Sequence, residues 1–276
     1  MFPALKEQIL PKELWDAMRS KDTELYKLNL QRYGVSSIHH AAMLCTPEII
    51  LSFLRDGVNP CQTFSFIVND SEEFLDALDL ALIYGKIENA QCLFENVREF
   101  QSDESLSVCY YHVITKGHEV HQDSALNWLL KKSKDPNSYH SDDICRPVHT
   151  AIQVKNNIAL LRLIQDKRFD LCLAGNYHEP YGCLTSFQLA LLYENWEAAI
   201  LLTEKCNLVN LVNATSSEGI NSIQFAQNIG KIQMLLQWVK ELPEILTGNQ
   251  QNSCDDGSSD SLNSDEMECD TPSLNP

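Results

Sequence analysis

The sequence has no run of apolar residues approaching the roughly 18 that a membrane-spanning helix needs. Its opening, Met1-Phe2-Pro3-Ala4-Leu5-Lys6-Glu7-Gln8, is broken by charge and proline and does not read as a secretory leader. Positive charge is scarce: 21 Lys+Arg stand against 38 Asp+Glu, a formal net charge of −17. A protein that grips nucleic acid without regard to sequence needs a basic footprint to displace phosphate counterions, so that class is excluded. An electrostatic hold on anionic membranes is disfavoured for the same reason. No C-x-x-C pair occurs among the 10 cysteines and no histidine sits at ligand spacing from a cysteine pair, so no metal is expected. In a chain of this size without a leader, the scattered thiols are expected reduced, as small buried hydrophobes in the cytoplasm or nucleus. The phosphate-loop, dinucleotide, zinc-protease and serine-hydrolase motifs are all missing. No cofactor and no catalysis are expected.

What is present is an ordinary globular composition, 44% apolar and 21% charged, over 276 residues. The charge is uneven. Between Asn249 and Pro276 lie Asp255, Asp256, Asp260, Asp265, Glu266, Glu268 and Asp270, with no Lys, Arg or aromatic residue. Such a stretch cannot bury enough apolar area to offset the entropy of ordering, so residues 249–276 are expected to form a disordered acidic tail. Seven of the 17 excess negative charges belong to it, and ten to residues 1–248.

A two-part pattern recurs along those 248 residues. Arg146-Pro147-Val148-His149-Thr150-Ala151 is followed by the apolar run Ile158–Ile164 at helical spacing. Ser37-Ile38-His39-His40-Ala41-Ala42 precedes Glu48–Leu54, and Asp76-Ala77-Leu78-Asp79-Leu80-Ala81 precedes Gly85–Phe94. Thr185–Ala190 precedes Trp196–Leu202, and Asn221–Ala226 precedes Gly230–Leu236. A weaker copy has Tyr110–Val113, Gly117-His118 and then Ala125–Leu130. Marker positions 41, 81, 113, 151, 190 and 226 give a noisy period in the mid-thirties.

The pattern resembles the ankyrin repeat family, whose first helix carries T-P-L-H-x-A in a unit of roughly 33 residues. The resemblance implies an all-α solenoid of about six repeats over residues 35–248, with an N-terminal capping helix pair in residues 1–34. It assigns structural roles to His39 and His149 (the turn-holding histidine), to the small Ala41, Ala81, Ala151, Ala190 and Ala226, to Pro147 at a helix start, and to Gly85, Gly117 and Gly230 as left-handed caps. Asp79, Gln188 and Gln224 replace the histidine, and Lys155 and Glu194 occupy glycine positions.

Ankyrin stacks bind other proteins through their concave face and hairpin fingers. Three loops here exceed the usual length and carry aromatic side chains, which make good interface anchors. Phe64 and Phe66 lie in the first, Tyr139 and His140 in the second, and Tyr177, His178 and Tyr181 in the third. In the tail, Asp255-Asp256-Gly257-Ser258-Ser259-Asp260 resembles a D-S-G-x-x-S phosphodegron with Asp at both phosphoserine positions. Ser253 has an acidophilic-kinase context and Thr271-Pro272 a proline-directed one.

Six or so repeats followed by an acidic, Ser-rich tail is the architecture of the IkappaB family, which masks Rel-type transcription factors. The resemblance therefore implies a regulator acting on a protein partner with a basic surface. An adaptor that presents a client to another complex, such as a ubiquitin ligase, is the alternative.

Overall fold

The computed structural model describes residues 37–68, 71–138 and 146–251. The capping pair expected in 1–34, Tyr139, His140, and the tail positions Ser253, Asp255, Asp256, Gly257, Asp260 and Thr271 lie outside the described residues. The chain divides after Leu235, within its last helix, into two compact bodies. The first body holds every described element up to the start of that helix.

Helices dominate, and they come in short pairs: α1 (Ser37–Leu44) with α2 (Pro47–Arg55), α3 (Ala77–Ile83) with α4 (Ile87–Asn96), and α5 (Asp103–Lys116) with α6 (Glu119–Lys132). The series continues with α7 (Pro147–Gln153) and α8 (Asn157–Ile164), then α9 (Ser186–Leu192) and α10 (Trp196–Lys205). A one-and-a-half-turn helix, α11 (Leu208–Asn213), leads to α12 (Ser222–Asn228), and α13 (Ile232–Gln251) follows. The last helix runs to Gln251, three residues into the segment expected to be tail.

An all-α reading needs one amendment. Two antiparallel hairpins stand between pairs: β1 (Phe64–Val68) with β2 (Ser71–Leu75), and β3 (Ala174–His178) with β4 (Gly182–Thr185). These are the first and third of the long loops.

The first helices pack in a row, α1 on α3, α3 on α5, α5 on α7, α7 on α9 and α9 on α12. The second helices form a parallel row, α2 on α4, then α6, α8 and α10. Several of the first helices have only seven residues, too few to persist alone in water, so packing on the neighbours must hold them. Ala41, Ala81, Ala151, Ala190 and Ala226 are completely buried, small enough for close helix approach. Ile38, Leu78, Phe187, Leu189 and Phe225 fill the space around them.

The turn joining the two helices of a pair is built four times in the same way. After each marker alanine comes a Schellman cap: the N–H five residues on reaches the alanine carbonyl, and the preceding N–H reaches the next carbonyl. The long bonds are Lys86→Ala81 (2.7 Å), Asn156→Ala151 (2.9 Å), Asn195→Ala190 (2.9 Å) and Lys231→Ala226 (2.7 Å). Gly85, Lys155, Glu194 and Gly230 take the required left-handed conformation, with φ of +67°, +56°, +52° and +71°.

Gly117 departs from its expected role. It is extended, with φ −61° and ψ 138°. Helix α5 is twice the usual length and passes straight into the extended N-cap His118, so no left-handed residue is needed. Glycine is required there for space instead, since a Cβ would stand 2.4 Å from the Val113 carbonyl oxygen.

Two substitutions separate space from conformation. Lys155→Gly removes a left-handed β-carbon and should raise stability by about 1 kcal/mol. Gly85→Ala should lower it by more than 1 kcal/mol, since its new Cβ would meet the His121 ring at 2.5 Å in an already strained conformation. Urea unfolding of the two variants checks both signs.

Candidate partner-binding surface

The motif-histidine position is the third residue of α1, α3, α7, α9 and α12. His39 Nε2 lies 2.7 Å from the Gln62 carbonyl, and His149 hydrogen-bonds the backbone at Leu173, in each case reaching the stretch that follows the second helix. Where the histidine is replaced, a different bond appears. Asp79 and Gln188 close capping boxes with Asp76 and Thr185, and Gln224 does so with Asn221. Gln188 also donates from Nε2 to the Ile220 carbonyl at 2.7 Å, which serves the same purpose as the histidine bond.

Between the second and third pairs the polar position becomes an ion pair. His112 Nδ1 of α5 stands 3.0 Å from Asp79 Oδ1 of α3, both side chains nearly buried. Asp76 and Cys109 adjoin Asp79, while Lys116 pairs with Glu73 of β2 at 2.7 Å. Burial by itself depresses His112, but Asp79, with help from Glu73, outweighs it and raises the pKa. Burial raises the Asp76 carboxyl well above its usual range, with Asp79 adding to the effect.

A second set of ties was not anticipated from the sequence. Asn89 Nδ2 donates to the Ala42 and Cys45 carbonyls, both at 2.9 Å, and Asn156 Nδ2 to Ile114 O at 3.0 Å. Asn195 Nδ2 reaches Ile152 O at 3.2 Å, and Lys231 Nζ reaches Leu192 O at 3.1 Å while pairing with Glu194 at 2.8 Å. Each side chain sits at or near the start of a second helix and satisfies a carbonyl at the end of the preceding unit's first helix. The legible signal was Asn or Lys directly after the left-handed residue at 155, 194 and 230.

The loop aromatics divide. Phe64 is half-buried, its ring edge-on to His39 at 4.7 Å. His178 packs edge-on against Tyr193 at 5.9 Å, and Tyr181 against Phe225 at 5.1 Å. These three rings tie the hairpins to neighbouring units. Phe66 stands opposite Glu73 in the strand register, and Tyr177 opposite Cys183. In the first hairpin Phe74 is 64% exposed, next to the fully buried Leu75. Strand alternation decides this, because Leu75 pairs with Phe64 on the packed face and Phe74 must take the other.

A more continuous surface comes from a position with no motif status. The residue preceding each left-handed one caps its helix: Tyr84, Val154, Tyr193 and Ile229. All four are apolar or aromatic, and all are half-buried except Val154, which is 45% exposed. Since α7, α9 and α12 pack side by side, Val154, Tyr193 and Ile229 form a row with the spacing of packed helices, about 8–10 Å, and Tyr84 holds the equivalent place on α3. Helix α5 interrupts it. Phe74 and this row are the candidate contact residues.

Among the described residues, no group of three His, Cys, Asp or Glu side chains is placed to hold a metal ion, and no helix is long and apolar enough to cross a membrane. No protein-family model matches the chain, and no curated protein matches it.

The histidines give opposed pH dependences. Burial, helped by Arg146, holds His149 down to about 3, and burial also lowers His39 and His178. A depressed histidine supports the fold above its ordinary value of 6.5 and loses that support as the unfolded chain takes up protons. His149 alone should cost about 2 kcal/mol between pH 7 and pH 5, and His149→Gln should abolish that loss. His112 is raised, so its contribution is complete below 6.5 and disappears as pH rises through its folded value. The stability gap between the native chain and His112→Gln should therefore shrink from pH 6 to pH 9 in thermal unfolding.

Proposed function

We propose that this chain is a non-enzymatic protein-binding module of the ankyrin type, a solenoid of about six helix-pair repeats that restrains a partner with a basic surface. The specific candidate is an IkappaB-like regulator acting on a Rel-type transcription factor in the cytoplasm or nucleus. What carries the reading is recurrence: one alanine–Schellman turn at four equivalent places, with equivalent side chains tying each unit to the one before. A stack of this kind presents the same position over and over, and here that position is the apolar row Tyr84, Val154, Tyr193, Ile229. Apolar anchors within an acidic surface, ten excess negative charges in residues 1–248, suit a basic partner with its own apolar residues.

The test is binding of purified chain to a Rel homology domain at low and at physiological salt. Binding that weakens with salt, and that falls at least tenfold in the double variant Phe74→Ala, Tyr193→Ala, is expected. Absence of binding at both salt concentrations rules out the Rel reading. The exposed Phe74 favours the adaptor reading as the second choice, because a finger aromatic recognises a client by shape and not by charge. Removing residues 252–276 distinguishes the two: a regulator of a basic factor loses affinity, whereas an adaptor binding through its fingers does not.

A further inference from the structure

The row of second helices carries a basic hollow. Along α6 the positions Val120, Asp123, Asn127 and Lys131 follow one another at steps of three and four, and so share one stripe. Ile158, Arg162 and Gln165 do the same on α8. Arg162 Nε stands 3.3 Å from Asp123 Oδ1, so the two stripes meet across the groove between these packed helices. Where the stripes end, Asn127, Leu130 and Lys131 on one side and Arg162, Gln165, Asp166 and Arg168 on the other line a cavity of about 370 Å³.

The charges around this cavity are not all committed to the fold. Arg168 is: its guanidinium holds both Asp166 oxygens and donates to the Leu130 and Ser133 carbonyls at 2.5 and 2.6 Å. That bond set occupies the Asp166 carboxylate and covers the carbonyl end of α6, where an anion would otherwise be repelled. Arg162 keeps donors to spare. One of its Nη1 hydrogens goes to Gln165 Oε1 at 3.0 Å, and its Nε makes no hydrogen bond to Asp123 despite their closeness. Asp123 is mostly exposed, and an ion pair so open to water holds its partners weakly. Lys131, on the facing helix, has no partner among the described residues. Three cations against two carboxylates leave one positive charge unbalanced.

We propose that the hollow between α6 and α8 receives one carboxylate side chain from an acidic, aliphatic segment of a partner protein. The terminal nitrogens of Arg162 offer a fork that matches a planar carboxylate, and Lys131 adds a donor from the other wall. A single unbalanced charge suits a carboxylate better than a doubly charged phosphoryl group. The volume lies at the lower end of the roughly 300–1,000 Å³ of ligand pockets, which suits a peptide side chain and its neighbours. Aliphatic residues beside the carboxylate find apolar surface at Leu130 in the cavity wall and at Ile158 and Val120, which are 69% and 75% exposed.

The test challenges the immobilised full chain with three degenerate peptide libraries that differ only in a fixed central residue: glutamate, glutamine or phosphoserine. Retention from the glutamate library should exceed that from the glutamine library at least tenfold, with Leu, Ile or Val enriched beside the glutamate. Lys131→Gln and Arg162→Gln should each cut that retention at least fivefold and leave the thermal unfolding midpoint unchanged. Equal retention of glutamate and glutamine peptides, stronger retention of phosphoserine peptides, or retention unaltered in both variants overturns the proposal. So does retention that appears only once residues 252–276 are removed, because the chain's own acidic segment is then the occupant. No Rel homology domain enters this experiment, so its outcome is independent of the partner reading above.

Discussion

A helix of seven residues leaves nearly all its end groups without intrahelical partners, four N–H groups at one end and four carbonyls at the other. Everything distinctive in this structure answers that constraint. At the N-termini, Asp76, Thr185 and Asn221 accept from the helix and receive a return bond from the third residue. At the C-termini, the Schellman turn uses two N–H groups of the chain itself. What remains is covered by Asn89, Asn156, Asn195 and Lys231, each from the next unit. End-satisfaction and unit-to-unit adhesion are thus one set of bonds, and a unit cut from its neighbour would lose both.

This explains how the third helical position tolerates His, Asp and Gln. Its task is to place a polar atom between the helix start and the neighbouring backbone, and three chemistries manage it. Histidine reaches a carbonyl through a ring N–H, and burial keeps the His149 ring neutral while it does so. Glutamine has an acceptor and a donor, so Gln188 closes its own capping box and also bonds Ile220. Aspartate has only acceptors when ionised, and the opposing α5 helix supplies His112.

Much of the scaffold was legible in the sequence. Alanines at a period in the mid-thirties mark the turns, and Lys155 and Glu194 were recognisable as standing in glycine positions because the spacing from Ala151 and Ala190 repeats that from Ala81 to Gly85. Gly117 misled because spacing cannot tell a long first helix from a standard one. The loops at Phe64 and Tyr177 were seen as long, but not as hairpins, since the alternation is short and interrupted. The candidate surface was harder still. Aromatics in loops drew attention, yet three of those rings pack inward, and the row through Tyr84 and Val154 has no local signature.

The sequence by itself determined the period, the turn chemistry and the charge. These are local or additive properties: a left-handed residue four after an alanine, or a sum of ionised groups, needs no neighbour to be recognised. Only the tertiary structure decided which side chains face solvent, that Phe74 is outward and Phe64 inward, and that Asp79 meets His112. Each of those depends on which residues of one unit lie against the next, and contacts across thirty to forty positions are set by packing, not by local sequence.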